Sequence, residues 1–295
     1  MSALQRMIRV YDRTMLGSHQ RRYYENSGYF NFGYWGSGAT SQRAASDALV
    51  DQLTGRIVGK GGRILDVACG TGIVARRVAV YVESNGKIIG LDLNPHMLTV
   101  ARAAAEREGL TIEWHEGRAE KLPFPDGAFD LALCQFALMF FDDRRAALAE
   151  MHRVLADGGR ILLSVWQGIE RHPFYQTLHE AIRARLGMSG VQDIFALGGD
   201  DELRGLLSDA GFRHVEINEV SMTARFPDPE WFLAGEIDVD TAAIPSMQHL
   251  DAQARLAITA AIHDDMKAAL REVTKDDHVV IPFHAQIARA GRGRT

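Results

Sequence analysis

The sequence predicts an α/β protein built on a doubly wound, mostly parallel sheet of seven strands. From residue 61 onward, short apolar runs of strand length alternate with helical stretches, which is the pattern of βαβ units. A glycine-rich turn joins the first of these runs to the helix that follows, as in open α/β sheets that bind a ligand there. The 295 residues are 46% hydrophobic and 24% charged, which suits one large core.

Each predicted strand is a short apolar segment bounded by turn-forming or charged residues. The seven strands cover residues 64–68, 87–91, 111–115, 130–135, 160–166, 215–220 and 279–288. Helices are predicted from apolar positions at helical spacing and from end signals: Ser41 is a candidate N-cap, Pro95 suits a first turn, and Gly211 ends a helix. The predicted helices cover residues 41–58, 71–82, 95–107, 144–155, 200–210, 229–234 and 252–273.

The chain is predicted to divide into an N-terminal segment, residues 1–58, and a core, residues 59–295, that holds the sheet. The N-terminal segment combines helices with aromatic residues interleaved with glycines, and this aromatic stretch is predicted to be a lid. A packing role and a substrate-lining role suit it equally. Two helical insertions, at about residues 167–199 and 222–276, are expected to cap the core, the second just before the last strand.

Charge and cysteine content narrow the class of partner. The net charge of -5 lacks the basic excess that nucleic-acid binding needs. Cys69 and Cys134 are too few for a disulfide framework and have no metal-ligand spacing, so no metal is expected. Without a leader-like segment or an apolar stretch of about 18 residues, the sequence predicts a cytoplasmic protein with no membrane span. We expect a small-molecule partner and a monomer or homodimer.

The turn after the first strand carries the candidate binding site. Residues 64–72 have the sequence ILDVACGTG, and Gly70 and Gly72 let a ligand approach bare backbone. Asp92 ends the second strand, where a carboxylate can accept both hydroxyls of a ribose. Residues 70–75 also fit the G-x-G-x-x-A fingerprint of NAD-binding proteins. A third interpretation is a glycine turn that serves only close packing of strand against helix.

Asp66 and several downstream segments separate these interpretations. Residues 66–72 (DVACGTG) resemble the first motif of class I S-adenosylmethionine-dependent methyltransferases, and residues 90–98 (GLDLNPHML) resemble the second. Residues 117–126 (GRAEKLPFPD), 129–130 (FD) and 150–159 (EMHRVLADGG) are also similar to that family. The resemblance covers about residues 31–220 and is to the small-molecule branch, which includes ubiquinone/menaquinone-biosynthesis C-methyltransferases. It implies the Rossmann-like methyltransferase fold and S-adenosylmethionine as cofactor.

The same resemblance implies which residues contact the cofactor. The glycine turn would hold the methionyl part, with Asp66 helping to place its ammonium group, and Asp92 would take the ribose hydroxyls. Leu93 and Met97 would enclose the adenine, and Gln135 and Phe136 would line the sulfonium side. The complete implied set is Asp66, Ala68, Gly70, Thr71, Gly72, Asp92, Leu93, Met97, Arg118, Ala119, Glu120, Gln135 and Phe136.

Arg118 departs from the family pattern. Related proteins usually have an acidic residue there, which accepts a hydrogen bond from the adenine amino group. Because arginine has no acceptor, either Glu120 or a main-chain carbonyl takes this role, or adenine recognition is weaker. Ala119 would still offer its backbone N–H to the adenine ring.

Methyl transfer from a sulfonium is an in-line displacement, so alignment and exclusion of water can supply most of the catalysis. No general base is obligatory, and no catalytic residue is assigned. The candidates for a catalytic role are His19, Tyr34 and Gln135. Four histidines could deprotonate a phenol or an activated carbon, and the sequence does not rank them: His19, His115, His172 and His284.

Aromatic residues predict an apolar acceptor pocket. Residues 31–35 (NFGYW) resemble a stretch that lies over the active site in many natural-product, sterol and quinone methyltransferases. The candidate pocket residues are Tyr11, Tyr23, Tyr34, Trp35 and Trp231, although core packing explains Trp231 equally well. The predicted reaction is C- or O-methylation of a hydrophobic or aromatic metabolite.

Two alternatives to a methyltransferase stay open from the sequence. An NAD-dependent oxidoreductase rests on the glycine pattern alone and lacks a second mononucleotide-binding half and a Tyr-x-x-x-Lys pair. A member that binds the cofactor without transferring methyl, such as a cyclase, has the same sequence features.

Overall fold

The computed structural model describes residues 38–39, 41–55, 62–79, 82, 86–188, 194–242 and 244–293. Of the predicted N-terminal segment, only 38–39 and 41–55 are described, so the predicted aromatic lid lies outside the described residues.

A single sheet organises the described residues, with the strand order β3-β2-β1-β4-β5-β8-β6 and with β7 paired to β8. Neighbouring strands among β1 to β5 are parallel, whereas β8 is antiparallel to β5, β6 and β7. The strands are β1 (Arg63–Val67), β2 (Lys87–Asp92), β3 (Glu113–Glu116), β4 (Phe129–Gln135), β5 (Leu155–Trp166), β6 (Arg213–Pro227), β7 (Thr274–Lys275) and β8 (His278–Gly291). The predicted α/β class with a mostly parallel sheet is confirmed.

All seven predicted strands are present, and the structure adds an eighth, β7, whose two residues are too few for an apolar pattern. β6 runs to Pro227, past its predicted end at residue 220. The extension is amphipathic, with Met222, Ala224 and Phe226 buried at alternate positions opposite β8. β5 begins at Leu155, in the segment predicted to end a helix, because Leu155 already pairs with Phe129.

The helices begin where their capping residues predict. The Ser41 hydroxyl accepts a hydrogen bond from the Ala44 N–H (3.2 Å), and the Asn94 side chain caps the helix that starts at Pro95. The helices are α1 (Gln42–Thr54), α2 (Ile73–Val78), α3 (Pro95–Arg107), α4 (Arg144–Val154), α5 (Pro173–Leu186), α6 (Asp200–Asp209), α7 (Pro229–Ala242), α8 (Pro245–Gln248) and α9 (Ala252–Val273). α1 ends before residue 58. α2 begins two residues after the predicted start because its N-cap, Gly72, is in the left-handed region, and it ends at Val78, before the predicted residue 82.

Both faces of the sheet are covered, which explains why its strands are continuous apolar runs. Alternate residues of β1 and of β4 enter two separate clusters of buried side chains, one shared with α1 and α2 and the other shared with residues of α4 and α5. The first layer includes Val50, Leu53, Ile64, Val74, Val78 and Leu133, and the second includes Leu65, Cys134, Leu148, Met151 and Leu178.

The long antiparallel pair β6–β8 carries the chain past the carboxyl edge of the parallel strands. Ala285 lies opposite Trp166, the last residue of β5, so the part of β8 before Ala285 extends beyond that strand. β6 pairs with this extension up to Pro227, opposite His278. α7, α8 and α9 connect these two ends and therefore stand beyond the carboxyl edge, where α9 packs against α5 and α7. Within the described residues, none of the helices combines the length and apolar composition needed to cross a membrane.

Candidate cofactor and acceptor site

The turn between β1 and α2 is shaped by three residues with positive φ: Ala68 (56°), Gly70 (54°) and Gly72 (76°). Glycine tolerates this region, whereas Ala68 carries backbone strain there. The backbone N–H of Cys69 donates to Leu91 (3.0 Å), which ties the turn to β2. The turn is therefore held in one conformation at the carboxyl edge of the sheet.

Asp92 holds the tip of this turn. One carboxylate oxygen accepts from the backbone N–H of Gly70 (2.8 Å) and the other from that of Asn94 (2.8 Å). Burial raises the pKa of Asp92, and these backbone donors oppose the rise. A carboxylate has about four lone-pair positions, so it could accept two ribose hydroxyls as well.

Asp66 lies under the turn and is buried, with 1% of its surface exposed. It accepts a hydrogen bond from the backbone N–H of Ala75 (2.9 Å). Burial, and to a lesser extent the charge of Asp92, raises the pKa of Asp66 to about 8, against the effect of the Ala75 N–H. Asp66 therefore carries a proton at neutral pH, and an approaching ammonium group would favour its ionised form.

The two glycines of the turn have different surroundings. A Cβ atom on Gly70 would have nothing within 4 Å, so a ligand can approach this backbone. A Cβ on Gly72 would lie 2.3 Å from the indole ring of Trp114 and 3.1 Å from Ala101. Close packing therefore requires glycine at position 72. This agrees with the third interpretation that the sequence left open, a glycine turn that serves packing. Thr71, between them, is buried.

The predicted adenine side follows β2 and β3. Met97 is buried at the start of α3, and Leu93 is half-buried beside Asp92. The backbone N–H of Gly117 donates to the Asp92 carbonyl (3.0 Å), which brings the 117–121 loop to the end of β2. Ala119 is buried in this loop.

Arg118 forms ion pairs with acidic neighbours. Its guanidinium lies 2.5 Å from Asp142 and 3.3 Å from Glu120, and these partners raise its pKa. Glu120 is paired with Arg118 but keeps further lone pairs, so both Glu120 and main-chain carbonyls stay candidate acceptors for an adenine amino group.

The predicted sulfonium side carries an aromatic pair. Phe136, with φ of 51°, follows Gln135 at the end of β4 and donates its backbone N–H to the Ser164 carbonyl (2.9 Å). Its ring stacks on Trp166 with centroids 3.9 Å apart and planes 10° apart. Trp166 was not among the sequence candidates. Its position at the end of the fifth predicted strand was the signal available.

The structure rules out one histidine as a base. His172 has no exposed surface; its Nδ1 faces the Gly168 carbonyl (3.0 Å), and its Nε2 accepts from the backbone N–H of His284 (3.0 Å). Burial lowers the pKa of His172 to about 4. Both nitrogens are thus committed to the backbone. His284 contacts Ser221 (2.9 Å), and half-exposed His115 lies edge-on to Phe124.

The remaining candidates fall into two groups. Trp231 lies on α7, partly buried against the core. The others, His19, Tyr11, Tyr23, Tyr34 and Trp35, lie outside the described residues.

Comparisons with known proteins identify the family. Residues 65–163 match the family described as the methyltransferase domain. The demethylmenaquinone methyltransferase of Thermus thermophilus is 34% identical over 163 residues, covering 51% of this chain and 74% of that protein. A ubiquinone/menaquinone biosynthesis C-methyltransferase of Neisseria meningitidis is 33% identical over 174 residues, covering 55% and 71%. The crystal structure of the cyclase SpnF superposes with a TM-score of 0.62 at 24% identity, over 100% of this chain and 97% of that one.

Asp92 holds a glycine turn at the carboxyl edge of a mostly parallel sheet. This arrangement defines a Rossmann-like protein that binds a nucleoside-bearing cofactor. The chain belongs to the class I S-adenosylmethionine-dependent methyltransferases, in the small-molecule branch. It is an enzyme that uses S-adenosylmethionine to methylate a small molecule. This membership decides against the NAD-dependent oxidoreductase.

Proposed function

We propose that the methyl acceptor is an apolar or aromatic metabolite that is methylated at carbon or oxygen. The observation that carries this proposal is the stack of Phe136 on Trp166 at the carboxyl ends of β4 and β5. An aromatic wall there favours a flat, apolar acceptor, and it excludes water from the reacting atoms.

The turn residues would align the cofactor, which supplies an electrophilic methyl group on its sulfonium. Asp92 would bind the ribose, Asp66 would face the ammonium group, and the open backbone at Gly70 would admit the methionyl part. Leu93, Met97 and the Ala119 N–H would hold the adenine. Catalysis would come from this alignment, since displacement at a methyl group needs an in-line approach more than it needs a base.

The names of the relatives support carbon as the methylated atom. One is named as a demethylmenaquinone methyltransferase, and the other is named as a C-methyltransferase of ubiquinone/menaquinone biosynthesis. An isoprenoid quinone precursor is apolar and aromatic, so its chemistry suits the wall described above. If the acceptor is a phenol, its proton must leave during transfer, and the base for that step is not assigned.

Acceptor choice is proposed to reside outside the cofactor-binding sheet, in residues 1–58 and in the insertions at about 167–199 and 222–276. Trp231, on α7 within the second insertion, is proposed to line the pocket. Location in the cytoplasm, lack of nucleic-acid binding, and the monomeric or homodimeric state stay predictions.

Kinetics with a panel of apolar phenols and quinols would test the proposal. We expect several of these to be methylated. A Trp166→Leu variant should show a raised KM for them, while its affinity for S-adenosylhomocysteine stays unchanged. Methylation only of hydrophilic acceptors, or an unchanged KM in the variant, would contradict an aromatic acceptor wall.

A further inference from the structure

One face of α7 combines an aromatic ring with two carboxyl groups. Phe232, Glu236 and Asp240 recur every four residues, so they share a stripe along the helix. Phe232 is 3% exposed and Asp240 is 7% exposed, and Glu236 between them is partly buried. Carboxyl groups on a buried stripe are costly unless something pairs with them.

The described residues provide few polar partners for these carboxyl groups. Tyr175 lies beside Glu236 and acts to lower its pKa, whereas the buried Oδ2 of Asp240 has no hydrogen-bond partner in the described part of the chain. Burial raises the pKa of Glu236 to about 7, and burial together with Glu236 raises that of Asp240 further above its ordinary value. No lysine, arginine or histidine among the described residues forms an ion pair with either carboxyl group.

A series of contacting rings links these acids to the aromatic pair of Phe136 and Trp166. The Tyr175 ring is 5.4 Å from Phe283, Phe283 is 5.1 Å from Trp166, and Trp166 stacks on Phe136. α7 itself follows β6, beyond the carboxyl edge of the parallel strands. The acids of α7 and the aromatic wall therefore belong to one packed cluster beyond the carboxyl edge of the parallel strands.

We propose that Glu236 and Asp240 bind a protonated amine on the acceptor, remote from the atom that is methylated. This inference rests on the proposed function and specifies its substrate class: an apolar or aromatic amine. Glu236 and Asp240 are one helical turn apart, so a single ammonium group can contact both carboxyl groups. An ammonium group has three donors, enough for the open oxygen of Asp240 and for Glu236, and the surrounding rings favour a cation.

Calorimetry with matched ligands tests the inference. The full chain, saturated with S-adenosylhomocysteine, is titrated at neutral pH with phenylbutylamine and phenylbutanol, and then with the naphthyl analogues of both. We expect each amine to bind about 10- to 100-fold more tightly than its alcohol, the range for hydrogen bonds to charged groups. Glu236→Gln and Asp240→Asn should abolish this preference while alcohol binding stays unchanged.

Asp238→Asn is the control, because it removes a carboxylate from an exposed position of the same helix and should keep the preference for amines. Thermal unfolding of each variant confirms that it is folded. Equal affinity for amine and alcohol would overturn the inference and leave the proposed function standing. No binding of either compound would contradict the apolar acceptor pocket, and the inference with it.

Discussion

The Asp92 carboxylate accepts a hydrogen bond from the backbone N–H of Gly70 at 2.8 Å, so the end of β2 fixes the tip of the turn that follows β1. The same carboxylate also binds the Asn94 N–H, at the cap of α3. One side chain thus organises the turn and the start of the next helix, and it keeps lone pairs for a ligand.

Replacing Asp92 with alanine should weaken binding of S-adenosylhomocysteine by about 1 to 3 kcal/mol, because charge-assisted hydrogen bonds are lost. Calorimetry measures this directly. Asp130→Asn is the matched control, since Asp130 pairs with Arg63 at the opposite end of the sheet and should leave affinity unchanged. Unchanged affinity in the Asp92 variant would show that the ribose assignment is wrong.

Cofactor binding should release up to about one proton near neutral pH. Free Asp66, with its pKa of about 8, is protonated there, and an ammonium group beside it would favour ionisation. The release appears as a dependence of the binding heat on the ionisation enthalpy of the buffer. It should vanish well above pH 8 and in Asp66→Asn. Equal heats in all buffers at neutral pH would place the ammonium group away from Asp66.

Alanine at Gly72 should destabilise the protein more than alanine at Gly70. Both positions have positive φ, and an alanine in that conformation costs about 1 to 2 kcal/mol of stability at each position. Only the Gly72 methyl group also overlaps Trp114, which adds about 1 to 3 kcal/mol. Urea unfolding measures the difference, and a Trp114→Leu background should remove most of it. Similar losses at the two glycines, or no relief in that background, would contradict the packing role of Gly72.

Glu236→Gln should flatten the pH dependence of stability. The pKa of Glu236 is raised from its ordinary 4.5 to about 7, with Tyr175 and Asp240 as its polar neighbours. The unfolded chain therefore ionises first, and stability falls as pH rises from about 4.5 to about 7. The variant should gain on the order of 1 to 3 kcal/mol relative to wild type across this range. If the urea midpoints of the two proteins change with pH in parallel, the raised pKa of Glu236 is contradicted.

Local patterns in the sequence predicted the fold and the turn. Strand length, the candidate cap Ser41, Pro95 in a first turn and the spacing of Asp92 are properties of short segments. They predict the elements to within a few residues except in the β5 and β6 extensions, the α2 end and the longer α7. The packing of Trp114 on Gly72 and the stack of Trp166 on Phe136 join distant segments, so no local pattern predicts them.

Local sequence also did not show the surroundings of the candidate histidines and of the buried acids. The sequence left His172 as a candidate base, but in the structure both of its ring nitrogens contact backbone groups. Glu236 and Asp240 lie beyond the predicted 229–234 helix and were not among the sequence candidates, because their burial depends on the tertiary fold.

The most direct test of the account is to count products when the protein is supplied with S-adenosylmethionine and the panel of apolar acceptors. We predict that each molecule of S-adenosylhomocysteine formed is matched by one methylated acceptor, and that Asp92→Ala reduces both equally. Tight binding of the cofactor with no S-adenosylhomocysteine and no methylated product from any acceptor would contradict methyl transfer, and it would favour a member that keeps the cofactor for another purpose.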